Sequence, residues 1–220
     1  MKISRLQYIS QESNGKTHLE NIEEACLAGI DWIQLRIKDK PLEEIKRIAL
    51  EARIICTKYK AKLILNDYVT IAKEIKADGV HIGKTDISLL EARQILGDKV
   101  IIGGTANTFE DIKFLSTLST DYIGLGPFQF THTKENLSPV IGLDGYRNIV
   151  KQCHEQKIKI PIIAIGGILA EDTLSILGTE VYGIAMSNTI SKAQDKKAMV
   201  TLLHYKINLI NSINESKLSS

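Results

Sequence analysis

Gln34, Arg36 and Lys38 occupy every second position of the segment Trp32-Ile33-Gln34-Leu35-Arg36-Ile37-Lys38. In an extended strand this spacing puts the three polar side chains on one face, with Ile33, Leu35 and Ile37 on the other. A half-buried strand with its polar face in water could carry the same pattern. In a parallel sheet both faces are normally covered. Two cations and an amide would then point into an enclosed space, where an unpaired charge is costly. Internal carboxylates or a multiply charged anion must compensate them. Asp67 and Asp86 are the nearest carboxylates that close neighbouring units of the chain. Hard oxygen donors beside a phosphate-rich site suit Mg²⁺, which keeps several waters and takes only one or two protein carboxylates. Either aspartate alone could equally cap a helix or close a turn.

Such residues need a frame to bring them together, and the hydrophobic pattern supplies one. Short β-rich runs at 6–9, 32–37, 62–65, 79–82, 100–104, 122–126, 160–165 and 181–186 alternate with longer segments of helical period. The helical segments are 18–27, 42–58, 69–75, 89–95, 108–118, 143–156, 170–176 and 188–210. Ser88, Thr108 and Asp172 stand at or near helix starts, and Gly29, Gly97 and Gly178 near helix ends. Strict alternation predicts a parallel α/β sheet. An open doubly wound sheet usually has fewer strands and often a glycine-rich first turn. Here the first strand runs into Gln11-Glu12-Ser13-Asn14-Gly15-Lys16, which is no dinucleotide loop. The reading is therefore a single-domain (β/α)8 TIM barrel over residues 1–212, followed by a polar tail at 213–220.

In a barrel the active site lies at the C-terminal ends of the strands. From the second strand onward those ends carry Gln34, Arg36 and Lys38; Asn66 and Asp67; Lys84 and Asp86; Thr105 and Asn107; Thr131, Thr133 and Lys134; Gly166 and Gly167; and Met186, Ser187 and Asn188. The last two strand ends are the usual place for a phosphate held by backbone N–H groups. Thr131 and Thr133 would aim their hydroxyls the same way in an extended loop, although TxTK also suits a solvated loop. His81, inside an apolar strand, reads as a satisfied core histidine, and His18, His154 and His204 as surface residues. No Cys/His cluster suggests zinc, and no GxSxG elbow suggests a hydrolase.

Composition narrows the class. With 220 residues, 44% apolar, 25% charged and a net charge of +2, the chain has no overall footprint for nucleic acid or an anionic membrane. No apolar run approaches the ~18 residues of a membrane span. Three scattered cysteines, Cys26, Cys56 and Cys153, read as thiols in a reducing compartment. With no apolar signal region behind Met1, cytoplasmic residence is the expectation.

Taken in order, several pieces resemble the thiamine phosphate synthase family. They are Gln-Leu-Arg-Ile-Lys at 34–38, Asn66-Asp67, Asp-Gly-Val-His-Ile-Gly at 78–83 with Asp86, Gly-Pro-Phe-Gln-Phe-Thr-His-Thr-Lys at 126–134, and Ala-Ile-Gly-Gly-Ile at 164–168. The resemblance runs from about Leu6 to Ile190. It implies a (β/α)8 barrel that couples hydroxymethylpyrimidine diphosphate to a thiazole phosphate, or to its carboxylate with loss of CO₂, giving thiamine phosphate and pyrophosphate. By the same matching, Gln34, Arg36, Lys38, Asn66 and Lys134 would hold the pyrimidine diphosphate, with Arg36, Lys38 and Lys134 assisting its departure. Asp67 and Asp86 would hold Mg²⁺. Thr131 and Thr133 would contact the thiazole, and Gly167, Met186 and Ser187 its phosphate. The family is often dimeric, so a homodimer is an expectation.

The chain departs from the family pattern after strand five. A GxSxH-type run becomes Gly103-Gly104-Thr105-Ala106-Asn107, in which Thr105 keeps the hydroxyl of the substrate-binding serine and Asn107 replaces a titratable ring. Lys84 stands where Gln is common and adds a cation beside Asp86. The rival on the same barrel is a thiazole tautomerase, whose proton transfer uses that missing histidine; asparagine is no general base near neutral pH. Other readings are a non-catalytic phosphate-ligand binding protein, disfavoured by the presence of both aspartates, and a phosphate-binding barrel isomerase outside the family.

Overall fold

The computed structural model describes residues 3–130 and 139–218. Eight strands, β1 (Leu6–Ile9), β2 (Trp32–Leu35), β3 (Lys62–Asn66), β4 (Gly79–Ile82), β5 (Ile101–Ala106), β6 (Tyr122–Leu125), β7 (Ile162–Ile165) and β8 (Gly183–Met186), pair in parallel and in sequence order. The sheet closes through β1 and β8, with Leu6, Gln7 and Tyr8 opposite Ile184, Ala185 and Met186. Helices α1 (His18–Ala28), α2 (Leu42–Lys58), α3 (Val69–Glu74), α4 (Leu89–Leu96), α5 (Phe109–Ser116), α6 (Gly142–Glu155), α7 (Thr173–Leu177), α8 (Asn188–Ser191) and α9 (Lys196–Leu218) surround it. This is the (β/α)8 barrel that the alternation predicts.

Period two and period 3.6 together build two cores. In β2, Ile33 and Leu35 face outward into the large cluster between strands and helices. They meet helix faces such as Ile45, Ile48, Ala49, Ala52 and Cys56 of α2, spaced three and four apart. Each isoleucine or leucine among them contributes about 1.5–3 kcal/mol when fully buried. The alternate residues turn inward, where Ile9, Trp32, Ile64, Ile101, Tyr122, Ile163 and Ala185 form a second cluster inside the barrel. Trp32 and Tyr122 meet edge to face, with centroids 5.0 Å apart.

Local chemistry sets the helix ends. Thr17 and Glu20 form a capping box on α1, and Gly29 ends that helix in the left-handed region. Ser88 caps α4, and Thr108 with Asp111 boxes α5. Asp172 precedes α7, but its carboxylate accepts from Leu169 N at 2.9 Å instead of capping the helix.

Three expectations change. The segment read as one helix over 188–210 is two, because Asp195 accepts from Ala198 N at 2.8 Å and starts α9 anew. Helix α9 then continues to Leu218, through most of the stretch read as a polar tail. His18, read as a surface residue, is buried, and its Nδ1 lies 2.9 Å from Ser10 Oγ.

Candidate active site at the C-terminal rim

Strand β2 ends at Leu35, earlier than the polar alternation suggests. Of its three polar residues only Gln34 lies within the strand, fully inside the barrel. Arg36 is half-buried at the rim, its backbone N–H 3.4 Å from Ser10 Oγ, and Lys38 is exposed. The enclosed pocket inferred for all three is thus a gradient from interior to solvent. The pairing ladder with β1 and β3 stops there, so the chain beyond Leu35 is released to the rim.

Compensation comes from the carboxylates. Lys38 Nζ donates to Asp67 Oδ2 at 2.6 Å. Asp67 follows β3 directly and holds a left-handed φ of 70°, a conformation that Asp tolerates better than most residues. Its backbone N–H is tied to the His81 carbonyl of β4 at 2.9 Å, which fixes the turn. Asp86 accepts from Gly83 N at 2.8 Å. A Cβ on Gly83 would sit 2.6 Å from Asp86 Oδ2 and 4.0 Å from Asp67 Oδ1, so both carboxylates crowd over one glycine. Burial, then the hydrogen bond and charge of Asp67, push the Asp86 carboxyl above its ordinary range, against the pull of Gly83 N and Lys38.

Two like charges held together, with one ammonium beside them, favour a further cation. The donor set fits Mg²⁺, which takes hard oxygen ligands and only one or two carboxylates from a protein. Among the described residues no group of three or more His, Cys, Asp or Glu forms a denser metal cage.

Thr105 ends the inward face of β5, with Oγ1 3.0 Å from His81 Nε2. The two departures Lys84 and Asn107 meet on one carboxylate. Lys84 Nζ reaches Asp111 Oδ2 at 2.6 Å, and Asn107 N donates to the same oxygen at 2.8 Å. Lys84 is therefore an ion-pair partner of Asp111 and not a loose cation beside Asp86. Partial burial pushes the Asp111 carboxyl up, but Lys84, Asn107 N and Thr108 outweigh it and lower it. The Asn107 amide donates to Gly126 O, tying the end of β5 to the end of β6.

Gly166 and Gly167 hold φ of 95° and 73° after β7. A Cβ on Gly166 would meet Pro127 Cα at 2.8 Å, and one on Gly167 would meet Phe130 O at 3.0 Å. Their smallness admits the loop leaving β6, whose Phe128 N and Gln129 N bond Ile165 O and Gly166 O at 2.9 and 3.0 Å. Met186 is buried at the end of β8. Ser187, just beyond it, buries an Oγ with no hydrogen-bond partner. Asn66 is buried at the end of β3, level with His81. The remaining sequence candidates, Thr131, Thr133 and Lys134, lie outside the described residues.

Sequence reasoning missed Ser10, Gln7, Tyr122 and Asp111. Ser10 was within reach, since it ends β1 and the strand-end rule applies there too. Gln7 and Tyr122 carry no such signal, because they meet only through the barrel interior. A hollow of about 650 Å³ lined by Asp121, Lys159 and Tyr182 belongs to the opposite end of the barrel, where the strands begin.

Fold and rim together define a single-domain (β/α)8 barrel with paired carboxylates and cations at the end where such barrels carry their chemistry. The family model described as thiamine monophosphate synthase matches residues 6–190. A thiamine-phosphate synthase of Bacteroides fragilis is 50% identical over 190 residues, covering 86% of this chain and 93% of the relative. One of Flavobacterium psychrophilum is 47% identical over 204 residues, covering 93% and 99%. A solved thiamine phosphate pyrophosphorylase from Pyrococcus furiosus superimposes with a TM-score of 0.81 at 30% identity, covering 94% of this chain and 96% of that one. The chain belongs to the thiamine monophosphate synthase family.

Proposed function

We propose that the protein joins hydroxymethylpyrimidine diphosphate to a thiazole phosphate, releasing pyrophosphate and forming thiamine phosphate. Family membership at this identity supports the reaction. The observation that carries the site assignment is the convergence of Asp67 and Asp86 beside Lys38. In this reading the two aspartates hold Mg²⁺, which when bound neutralises charge on the diphosphate. Gln34, Arg36, Lys38, Asn66 and Lys134 bind the pyrimidine diphosphate, and Thr105 contacts substrate. Thr131 and Thr133 contact the thiazole, while Gly167, Met186 and Ser187 receive its phosphate. The unpartnered Ser187 hydroxyl supports that last assignment, since a buried donor without an acceptor costs about 1–3 kcal/mol until one arrives.

The chemistry asked of these residues is electrostatic. When the C–O bond to the diphosphate breaks, negative charge grows on the leaving group and the pyrimidine methylene becomes a cation. Arg36 offers planar paired donors and Lys38 a point charge, both in place before bond breaking. The thiazole nitrogen then supplies the electron pair that closes the new C–N bond. A site sheltered from water protects the cation from capture.

The tautomerase alternative needs a base where Asn107 stands. Its amide donates to Gly126 O and cannot take a proton near neutral pH. Cytoplasmic residence and a homodimer belong to the same reading. Among the described residues, no helix is long and apolar enough to cross a membrane.

The test is to incubate the purified chain with pyrimidine diphosphate, thiazole phosphate and Mg²⁺ and to measure thiamine phosphate. Formation that stops with a chelator and returns with Mg²⁺ is expected. No product with any divalent metal would sink the assignment.

A further inference from the structure

A chain of polar side chains crosses the inside of the barrel. Gln34 Nε2 lies 3.5 Å from Gln7 Oε1, and Gln7 Nε2 lies 3.5 Å from the Tyr122 hydroxyl. Tyr122 OH is 3.0 Å from His81 Nδ1, and His81 Nε2 is 3.0 Å from Thr105 Oγ1. Strands β1 and β6 are not neighbours in the sheet, so these contacts run through the interior. Glycines make the space. A Cβ on Gly103 would lie 2.2 Å from Tyr122 Cζ, and one on Gly124 would lie 3.0 Å from His81 Cε1.

Hydrogen counting gives the chain a direction. The Gln7 amide accepts from Gln34 through its oxygen, so its nitrogen faces the phenol as a donor. The Gln34 amide also pulls the phenol pKa down, the direction a donor gives. Burial nonetheless pushes the Tyr122 pKa well above its ordinary value, against both amides, so Tyr122 keeps its proton. Of the groups named around that hydroxyl, only His81 Nδ1 can accept it. His81, itself 6% exposed, then carries its own proton on Nε2.

We infer that His81 is a positioning residue, held by Tyr122 as the neutral Nε2–H tautomer, which donates to Thr105 Oγ1 and turns the Thr105 hydroxyl proton toward the substrate. Thr105 thus meets its ligand as a hydrogen-bond donor. The atom it faces is an acceptor, a phosphoryl oxygen or an unprotonated ring nitrogen. This rests on the proposed reading of the rim for the identity of the ligand, but not for the tautomer. It also accounts for the hydroxyl that survives when serine becomes threonine in this run. The added methyl is tolerated because the donor geometry is set from behind, by the histidine.

The full-length chain labelled with ¹⁵N-histidine tests the assignment without turnover. Its ring-nitrogen spectrum at neutral pH should show His81, identified by loss of its signals in His81→Gln, protonated at Nε2 alone. Tyr122→Phe should let the Nδ1–H form appear. Kinetics give a second readout. His81→Leu should lower kcat/KM at least tenfold. His81→Gln, whose amide can accept from Tyr122 and donate to Thr105, should recover most of that loss. A wild-type proton on Nδ1, or a folded His81→Leu with unchanged kcat/KM, overturns the inference. If His81→Leu does not fold, the tautomer spectrum still decides. A wild-type chain that makes no thiamine phosphate would remove the reading of the rim, while the spectrum would still stand or fall by itself.

Discussion

The two ends of the barrel handle their carboxylates in opposite ways. At the end where strands begin, Asp78 before β4 accepts from Arg53 of α2 and from Leu63 N of β3. Asp121 before β6 repeats the arrangement, accepting from Arg93 of α4 and from Ile102 N of β5. Each of these anions is matched by a guanidinium and a backbone N–H, and each ties a helix to the strand that follows it. At the other end, Asp67 and Asp86 are aimed at one another, with one exposed ammonium between them and solvent. Paired opposites fasten the structure together. Paired likes repel, and one of them holds its proton more tightly. The difference tells the two rims apart without reference to any relative.

That contrast can be broken by substitution. The largest effect should come from Asp67→Asn with Asp86→Asn, which keeps shape and tolerance of the left-handed turn. Thiamine phosphate formation should fall by at least about 10³-fold (~4 kcal/mol). Near-normal rates would make these carboxylates structural like those at the far end. Next, Asp78→Ala leaves Arg53 and Leu63 N without their acceptor. It should cost about 2 kcal/mol in urea unfolding while leaving kcat/KM of the folded protein unchanged. A stability loss of only a few tenths would mean that the pair is a solvated ornament. Ser88→Ala removes a plain helix cap near the reactive rim and should cost about 1 kcal/mol, with no change in the magnesium dependence of turnover.

The smallest effect is in pH dependence. The Asp86 carboxyl lies above its unfolded value, chiefly through burial and Asp67. Its contribution to metal-free stability is therefore fully present below the unfolded pKa of about 4. It is lost as pH rises through the folded value. Asp86→Asn should flatten this fall, read as urea midpoints in the presence of a chelator. An unchanged slope would show that Asp67 does not crowd it.

Much of this was readable from residue order. Strand–helix alternation located all eight strands, and the period-two pattern correctly turned Gln34 inward and Ile33 and Leu35 outward. The strand-end rule placed Asp67, Asp86 and Lys38 on one rim, where the structure brings them together. What escaped depends on closure in three dimensions. Tyr122 finds Gln7 across 115 residues because the barrel curls β1 and β6 around the same interior. Arg53 finds Asp78 because α2 packs on β3, and the chain entering β4 runs beside that strand. The break before α9 was legible and overlooked, since Asp195 is an ordinary cap signal three residues ahead of Ala198. The length of β2 was not legible, because the polar alternation continues through Lys38 after the pairing has ended.

The glycine pair after β7 has a consequence for how such sites can diverge. Gly166 and Gly167 carry the loop leaving β6 on their bare α-carbons. That loop runs straight on into the segment bearing Thr131, Thr133 and Lys134. A mutation that enlarged either glycine would move the ground under a different part of the rim. The two strand ends are thus inherited as one unit. Drift at the end of β7 cannot be sampled without also displacing residues 127–130, and any descendant with a bulkier residue at 166 should carry a compensating change between Pro127 and Phe130.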